Sequence, residues 1–315
     1  MRLAITLILT CLLAVLPSCS DDTKEPGTHE THDNQRRIVS LSPAGSKILI
    51  DLGLEEAIVG RHNYDQAVST EVPPVGEQGA IDYEKLLSIE PTHVIVQTDS
   101  QSMPARLKQI ASETGFEIVN LTRTLTLDDV QQATRQLEDR FAPGSGLAEQ
   151  LAHAIEPRVD DRSSWGTVLI VMHTAPTVDA LGPGSAHQEL IERLGYTPAV
   201  TEGLPYLPMD AEDVHALDPG VIVLVLPRAK DGEPAPEDWQ PTPKELGSLA
   251  GLGLRAVESG RVVLIDDPLA LLPSTALIGV SAELERRLGA LGPLGSQHDD
   301  PDDSQLENAT EAGPG

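Results

Sequence analysis

The sequence DYEKLLSIEPTHVIV, residues 82–96, returns in related form as DAEDVHALDPGVIVL, residues 210–224, and the two stretches align without a gap. Each begins with Asp, a favoured helix N-cap, and continues with residues that suit a helix. Each then passes through an acidic residue and a Pro or Pro-Gly turn into a run of Val and Ile, which is typical of a buried strand. The pattern predicts two copies of a unit in which a capped helix leads into a buried strand.

Helix-like and strand-like segments also alternate outside the two copies. Residues 37–41 predict a strand, and residues 43–52 predict a helix with Ser42 as its N-cap and Pro43 at its first position. The alternation ends with a helix predicted over residues 274–291, which carries apolar residues on one face. The sequence therefore predicts an α/β fold with two Rossmann-like lobes, each built on a mostly parallel sheet.

The boundary between the lobes is predicted from a break in the helical pattern. Pro143-Gly144 interrupts a helical stretch that resumes over residues 147–159. We therefore expect an N-terminal lobe over residues 37–142, a bridging helix within residues 143–165 and a C-terminal lobe over residues 166–293. A cleft between two such lobes is a natural place for a ligand.

The first 18 residues have the pattern of a signal peptide. Arg2 precedes an apolar run over residues 3–16, which is shorter than the about 20 residues that span a bilayer. Cys19 follows Ser18 as in a bacterial lipobox, so we expect Cys19 to be acylated; a plain secretory signal with an incidental Cys19 is the alternative. The other cysteine, Cys11, leaves with the signal peptide, so no intramolecular disulfide is expected.

Acidic stretches flank the predicted lobes. The formal net charge is −27, and much of it lies in residues 19–36 and 294–315. Both stretches lack apolar periodicity, so we expect a disordered tether and a disordered tail. A field of this sign repels nucleic acid, and we expect no nucleic-acid partner.

Several segments together resemble the Fe/B12 periplasmic-binding domain. They are RIVSLSPA at residues 37–44, Val59-Gly60 followed by Tyr64, VPPVG at residues 72–76, the segment at residues 86–96, and the second-lobe segment at residues 187–224. The resemblance covers residues 37–291. It implies a class III binding-protein fold, in which one long helix joins two lobes and the ligand lies between them. It also implies delivery of the ligand to the permease of an ABC importer and its ATPase.

Candidate ligand contacts come from loops that follow predicted strands, where ligands gather in open α/β sheets. Three of them match positions that contact ligand in the cobalamin binders of the family: Pro43, Tyr64 and Tyr206. His62 and His173 are further candidates because neutral imidazole binds iron and cobalt, and Asp267 follows the last strand. For each Tyr the alternative is loop packing, and for each His it is a solvated or hydrogen-bonded bystander.

Glu84 and Glu212 occupy equivalent places in the two repeated segments. The resemblance implies that such a pair docks on Arg residues of the permease, which carboxylates on two rigid lobes can engage. The alternative is helix stabilisation, because an acid in the first turn interacts favourably with the helix dipole.

The predicted function is a lipid-anchored substrate-binding protein of an ABC importer, a monomer on the periplasmic side of a bacterial membrane. Its ligand is an iron complex (siderophore or haem) or cobalamin, and the choice stays open. Arg228 and Lys230 suit an anionic ligand, or belong to a solvated loop. No Gly-x-Ser-x-Gly or His-Glu-x-x-His motif is present, so we expect no enzyme, no cofactor and no built-in metal site. The alternatives are an enzyme or a structural or adhesive lipoprotein.

Overall fold

The computed structural model describes residues 36–77, 79–99, 101–121 and 123–295. Several predictions lie outside the described residues: the signal peptide over residues 1–18, acylation of Cys19, nearly all of the tether over residues 19–36 and nearly all of the tail over residues 294–315. Within the described ranges, none of the helices has the length and apolar character needed to cross a membrane.

The N-terminal lobe contains a mostly parallel sheet. Its strands are β1 (Ile38–Ser40), β2 (Ile58–His62), β3 (Pro74–Glu77), β4 (Ala80–Ile81), β5 (His93–Gln97) and β6 (Glu117–Leu121). They are arranged in the order β4-β3-β2-β1-β5-β6, and every neighbouring pair is parallel except β3 and β4. Helices α1 (Pro43–Asp51), α2 (Tyr83–Ser88) and α3 (Ala105–Thr114) connect these strands. Ser42 caps α1 as predicted, since its side chain accepts a hydrogen bond from the Gly45 amide.

The C-terminal lobe has a second sheet of the same kind. Its strands are β7 (Thr167–His173), β8 (Val178–Leu181), β9 (Thr197–Pro198), β10 (Tyr206–Met209), β11 (Val221–Val225) and β12 (Val262–Ile265). The main order is β10-β8-β7-β11-β12, with β9 also paired to β7. Strands β7, β11 and β12 are parallel, whereas β8 runs against both β7 and β10. The helices of this lobe are α6 (Ala186–Arg193), α7 (Ala211–Leu217), α8 (Pro243–Leu246), α9 (Arg255–Glu258) and α10 (Leu277–Leu291).

The repeated sequence forms the same substructure in both lobes. Asp82 caps α2 and Asp210 caps α7, each through its side chain. After each helix the acidic residue of the turn has a positive φ, 50° at Glu90 and 35° at Asp218. The strand that follows is internal in its sheet: β5 lies between β1 and β6, and β11 lies between β7 and β12. The predicted helix–turn–strand unit is therefore confirmed in each lobe.

Two helices, α4 (Leu127–Phe141) and α5 (Leu147–Ala154), connect the lobes. The first turns of α4 join the core of the C-terminal lobe through Leu127 and Val130, whereas Leu137 packs in the core of the N-terminal lobe. Helix α5 returns, with Leu147 in the N-terminal core and Leu151 in the C-terminal core. The lobes are therefore joined by two helices that run in opposite directions.

This arrangement corrects the predicted bridge. Within residues 143–165 the α-helix ends at Ala154, so the helix predicted over residues 147–159 is too long. Pro157 explains the early end, because a proline disfavours helical conformation in the residue before it. The Glu138 carboxylate fixes the turn between α4 and α5 by accepting hydrogen bonds from the amides of Gly146 (2.6 Å) and Ala148 (2.8 Å).

Candidate functional site

A cleft of about 810 Å³ lies between the lobes, at the carboxyl ends of the parallel strands. Its wall in the N-terminal lobe comes from the start of α1 and from the loop after β2. Its wall in the C-terminal lobe comes from the loop after β11 and from the segment after β12. The carboxyl edge of an open α/β sheet is the usual place for a ligand, as the sequence predicted.

Tyr64 is the most prominent side chain of the N-terminal wall. It lies beside Pro43 in the cleft and is 74% exposed. Its backbone amide donates to Nδ1 of His62 (3.2 Å), and the two rings lie 5.9 Å apart. The phenol ring is therefore free to cover the face of a ligand, since a tyrosine offers a flat apolar surface and a polar tip.

Asp65 lies next to Tyr64 and is only 4% exposed, although it belongs to the cleft wall. Its Oδ1 accepts hydrogen bonds from the amides of Ala67 (2.9 Å) and Val68 (3.3 Å), which order the loop after β2. Its buried Oδ2 has no hydrogen-bond partner among the described residues. Burial raises the pKa of this carboxyl, and the nearby Ser46 hydroxyl and the two amides only partly oppose that effect.

The C-terminal wall carries two cations in different surroundings. Arg228 donates to the carbonyls of Gly232 (2.9 Å) and Asp266 (2.9 Å), and its guanidinium lies 3.6 Å from the Asp266 carboxylate. Arg228 is thus held within its own lobe. Lys230 instead reaches the other lobe, where its Nζ donates to the carbonyl of Ala67 (3.1 Å).

A second cavity, of about 480 Å³, continues the space between the lobes. Here Asp51 accepts hydrogen bonds from Lys47 (2.5 Å) in its own lobe and from the Thr275 hydroxyl (2.5 Å) in the other lobe. Asp267 also lines this cavity, and its Oδ1 accepts from the amide of Leu269 (2.8 Å). The predicted residues Pro43, Tyr64 and Asp267 therefore all face the interlobe space.

Two of the predicted contacts do not line either cavity, and both are held by neighbours. His62 lies beneath Tyr64, and burial lowers its pKa below 6.5 despite the carboxylates of Asp65 and Glu77. Its Nδ1 accepts a hydrogen bond from the Tyr64 amide, so the neutral ring carries its proton on Nε2. His173 ends β7, but its ring lies 3.5 Å from the Asp179 carboxylate. Asp179 belongs to β8, on the side of β7 away from β11 and the cleft.

Tyr206 is also outside the cleft, for a topological reason. Strand β8 lies between β7 and β10 and runs against both, so β10 is parallel to β7 and is the outermost strand on that side of the sheet. As the first residue of β10, Tyr206 pairs with Leu181 of β8, level with the middle of β7, and it is 48% exposed. Partial burial of the side chain raises the pKa of the Tyr206 phenol above 10. Tyr206 lines neither of the two interlobe cavities, and its contact with the ligand, which came from the resemblance, stays a prediction.

Glu84 and Glu212 have equivalent positions in the two lobes. Each is exposed in the first turn of its helix, α2 or α7, and each helix begins with a capping Asp. The two carboxylates are therefore presented on rigid elements, while the same position also suits interaction with the helix dipole.

Metal-binding side chains are dispersed in the described part of the chain. Within those ranges no group of three or more His, Cys, Asp or Glu side chains comes together in a way that could hold a metal ion.

Residues 38–269 match the family described as periplasmic binding protein. The chain belongs to the periplasmic binding protein family. Three solved structures of similar fold are the haem-binding protein HutB of Vibrio cholerae, the vitamin B12-binding protein BtuF of Vibrio cholerae, and the siderophore-binding protein BauB, which was solved with acinetobactin and ferric iron. Their TM-scores are 0.62, 0.55 and 0.59, at identities of 19%, 19% and 14%. The matches cover 80–82% of this chain and 92–99% of those chains.

A curated relative from Bacillus subtilis (strain 168) is an uncharacterized ABC transporter substrate-binding lipoprotein, YvrC, which is 21% identical over 200 residues. The match covers 60% of this chain and 63% of that protein. The two-lobe α/β architecture of class III binding proteins, predicted from the sequence, is thus confirmed for this member of the family.

Part of the cleft wall consists of residues that were not among the predicted ligand contacts. Gln66 follows Asp65, and Leu269, Leu271 and Leu272 follow the last strand; all four face the interlobe space. The run Leu269–Leu272 could have been found from the sequence, because four consecutive apolar residues in the segment after a buried strand are unusual for a solvated loop.

Proposed function

We propose that this protein is the substrate-binding component of an ABC importer and captures an iron complex or cobalamin between its lobes. The observation that carries the proposal is the exposed ring of Tyr64 in a cleft of about 810 Å³ at the carboxyl ends of both sheets. A cavity of this size suits a bulky organic ligand, since pockets for drug-sized ligands occupy about 300–1,000 Å³. The family and the curated relative support a role in transport.

The ligand class is proposed from the cleft and from the relatives. Haem, vitamin B12 and a ferric siderophore complex are the ligands named for HutB, BtuF and BauB. Each is a large metal complex with flat or aromatic portions, which an exposed tyrosine and a leucine-rich wall can cover. We therefore retain haem, a ferric siderophore and cobalamin as candidates.

The proposal includes a location and two partners. The segment of residues 1–18 would direct export of the protein. Acylation of Cys19 would then hold it at the outer face of the cytoplasmic membrane or at another envelope membrane. Glu84 and Glu212 would then meet the permease, whose ATPase drives import. The chain acts by binding and delivery rather than by catalysis, and it acts as a monomer.

Titration of the purified mature protein with haemin, cyanocobalamin and ferric siderophores tests the proposal. Absorbance or quenching of the fluorescence of Trp165 and Trp239 reports binding. We expect one of these ligands to bind saturably with one molecule per chain. If none binds, the assigned ligand class is wrong.

A further inference from the structure

The two interlobe cavities share four lining residues. Both are lined by Gln66, Lys230, Pro268 and Leu269, so these residues form the boundary between the space of about 810 Å³ and the space of about 480 Å³. Of these four, Lys230 makes the contact that crosses the gap, from the loop after β11 to the carbonyl of Ala67. The Lys230 ammonium therefore lies where the two parts of the cleft join.

Lys230 differs from the other cations of the cleft in its partners. Lys47 is paired with Asp51 at 2.5 Å, and Arg228 lies 3.6 Å from Asp266. Within the described residues Lys230 forms no ion pair, and a backbone carbonyl is its hydrogen-bond acceptor. An ammonium has three donors, so two of them remain for a ligand.

Within the described residues, no carboxylate of the cleft pairs with the Lys230 ammonium and neutralises its charge. The Asp267 carboxylate accepts from the backbone of Leu269, and Asp65 is buried in the wall. Asp231, the next residue after Lys230, is exposed at the margin of the larger cavity. A protein of net charge −27 repels anions at long range, so an anionic ligand needs a local cation whereas a neutral ligand does not.

We propose that Lys230 is the cation that recognises the ligand, and that the ligand is a bulky metal complex with at least one anionic group. This inference rests on the proposed function and narrows its ligand class. The anionic group, a carboxylate or a deprotonated phenol oxygen, takes the free donors of Lys230 at the junction of the two cavities. Haem, with its propionates, and anionic ferric siderophores have such groups, whereas cyanocobalamin has no net charge for Lys230 to meet.

The test compares wild type with Lys230→Met and Lys230→Arg, and uses Lys108→Met as the matched control. Lys108 lies exposed on α3, lines neither cavity, and its loss changes the net charge by the same amount. Each protein is titrated with haemin, with a ferric tris-catecholate and with cyanocobalamin, at low and at high NaCl. Thermal melting checks that the variants fold.

The tightest ligand of the wild type should be haemin or the ferric tris-catecholate. Lys230→Met should weaken that binding about tenfold to a hundredfold, as expected for loss of a charge-assisted hydrogen bond. Lys230→Arg should restore most of the affinity, and Lys108→Met should match wild type. High salt should weaken binding to wild type much more than to Lys230→Met, which a purely structural role of the Ala67 contact would not produce.

Two results overturn the inference and leave the proposed function intact: cyanocobalamin is the tightest ligand, or Lys230→Met binds the anionic complex as tightly as wild type. Absence of binding by all three ligands overturns the proposed function itself and the inference with it.

Discussion

Replacing Tyr64 with Ala should weaken binding of the ligand without lowering the free energy of unfolding. Tyr64 is 74% exposed, and a tyrosine buries roughly 150–250 Å² when fully covered, so about 150 Å² of this side chain is available. A ligand that covers half of that area removes about 75 Å² from water. At about 25 cal/mol per Å² this amounts to about 2 kcal/mol, or a roughly 30-fold weaker dissociation constant.

The assay is an equilibrium titration of wild type, Tyr64→Ala and Tyr206→Ala with the tightest ligand of the wild type, together with urea unfolding of each protein. Tyr206 is the matched control, because the sequence resemblance places it at the ligand, whereas in the structure it lines neither interlobe cavity. Tyr206→Ala should bind as wild type does, and both variants should unfold within about 0.5 kcal/mol of wild type. Unchanged binding by Tyr64→Ala, or a larger loss in Tyr206→Ala, would refute the placement of the ligand.

Further expectations concern docking, pH and the helices that join the lobes. The double variant Glu84→Ala, Glu212→Ala should bind ligand normally and lose uptake in cells, and normal uptake would show that this pair does not dock. His187 is buried against the Ala270 carbonyl (2.7 Å), and burial lowers its pKa below 6.5, so below about pH 6.5 the unfolded chain gains a proton that the folded chain excludes. The free energy of unfolding should then fall by up to about 1.4 kcal/mol per pH unit, and urea titrations of His187→Gln should show a shallower fall. Leu137→Ala empties a fully buried site on α4 and should cost about 2–5 kcal/mol by urea unfolding; a loss below about 1 kcal/mol would contradict its place in the core.

The repeated unit was predictable because its signals are local. An Asp cap, a short helix, an acidic turn and a Val-Ile strand lie within one continuous stretch, and the structure shows the same unit before β5 and before β11. The parallel order of the main strands follows from the alternation of strands and helices, which requires crossover connections.

Features that depend on distant contacts were not predictable in this way. Leu127 and Leu137 belong to one helix, yet they pack in different lobes, and only tertiary packing shows that α4 joins the two cores. Strand β8 separates β10 from β7, so Tyr206 lies on the outermost strand on that side of the sheet, which no residue near Tyr206 indicates. The acceptor of Lys230 lies 163 residues away along the chain, so the role of this side chain in the cleft appears only in the folded protein.

A crystal structure of the protein with its tightest metal complex tests the central claim most directly, because anomalous scattering at the iron or cobalt edge locates the metal without assumptions about the fold. We expect one strong peak between the lobes, with the organic part of the ligand against Tyr64 and the residues that line the larger cavity. A peak on the outer surface of either lobe, in crystals saturated with ligand, would contradict binding in the interlobe cleft.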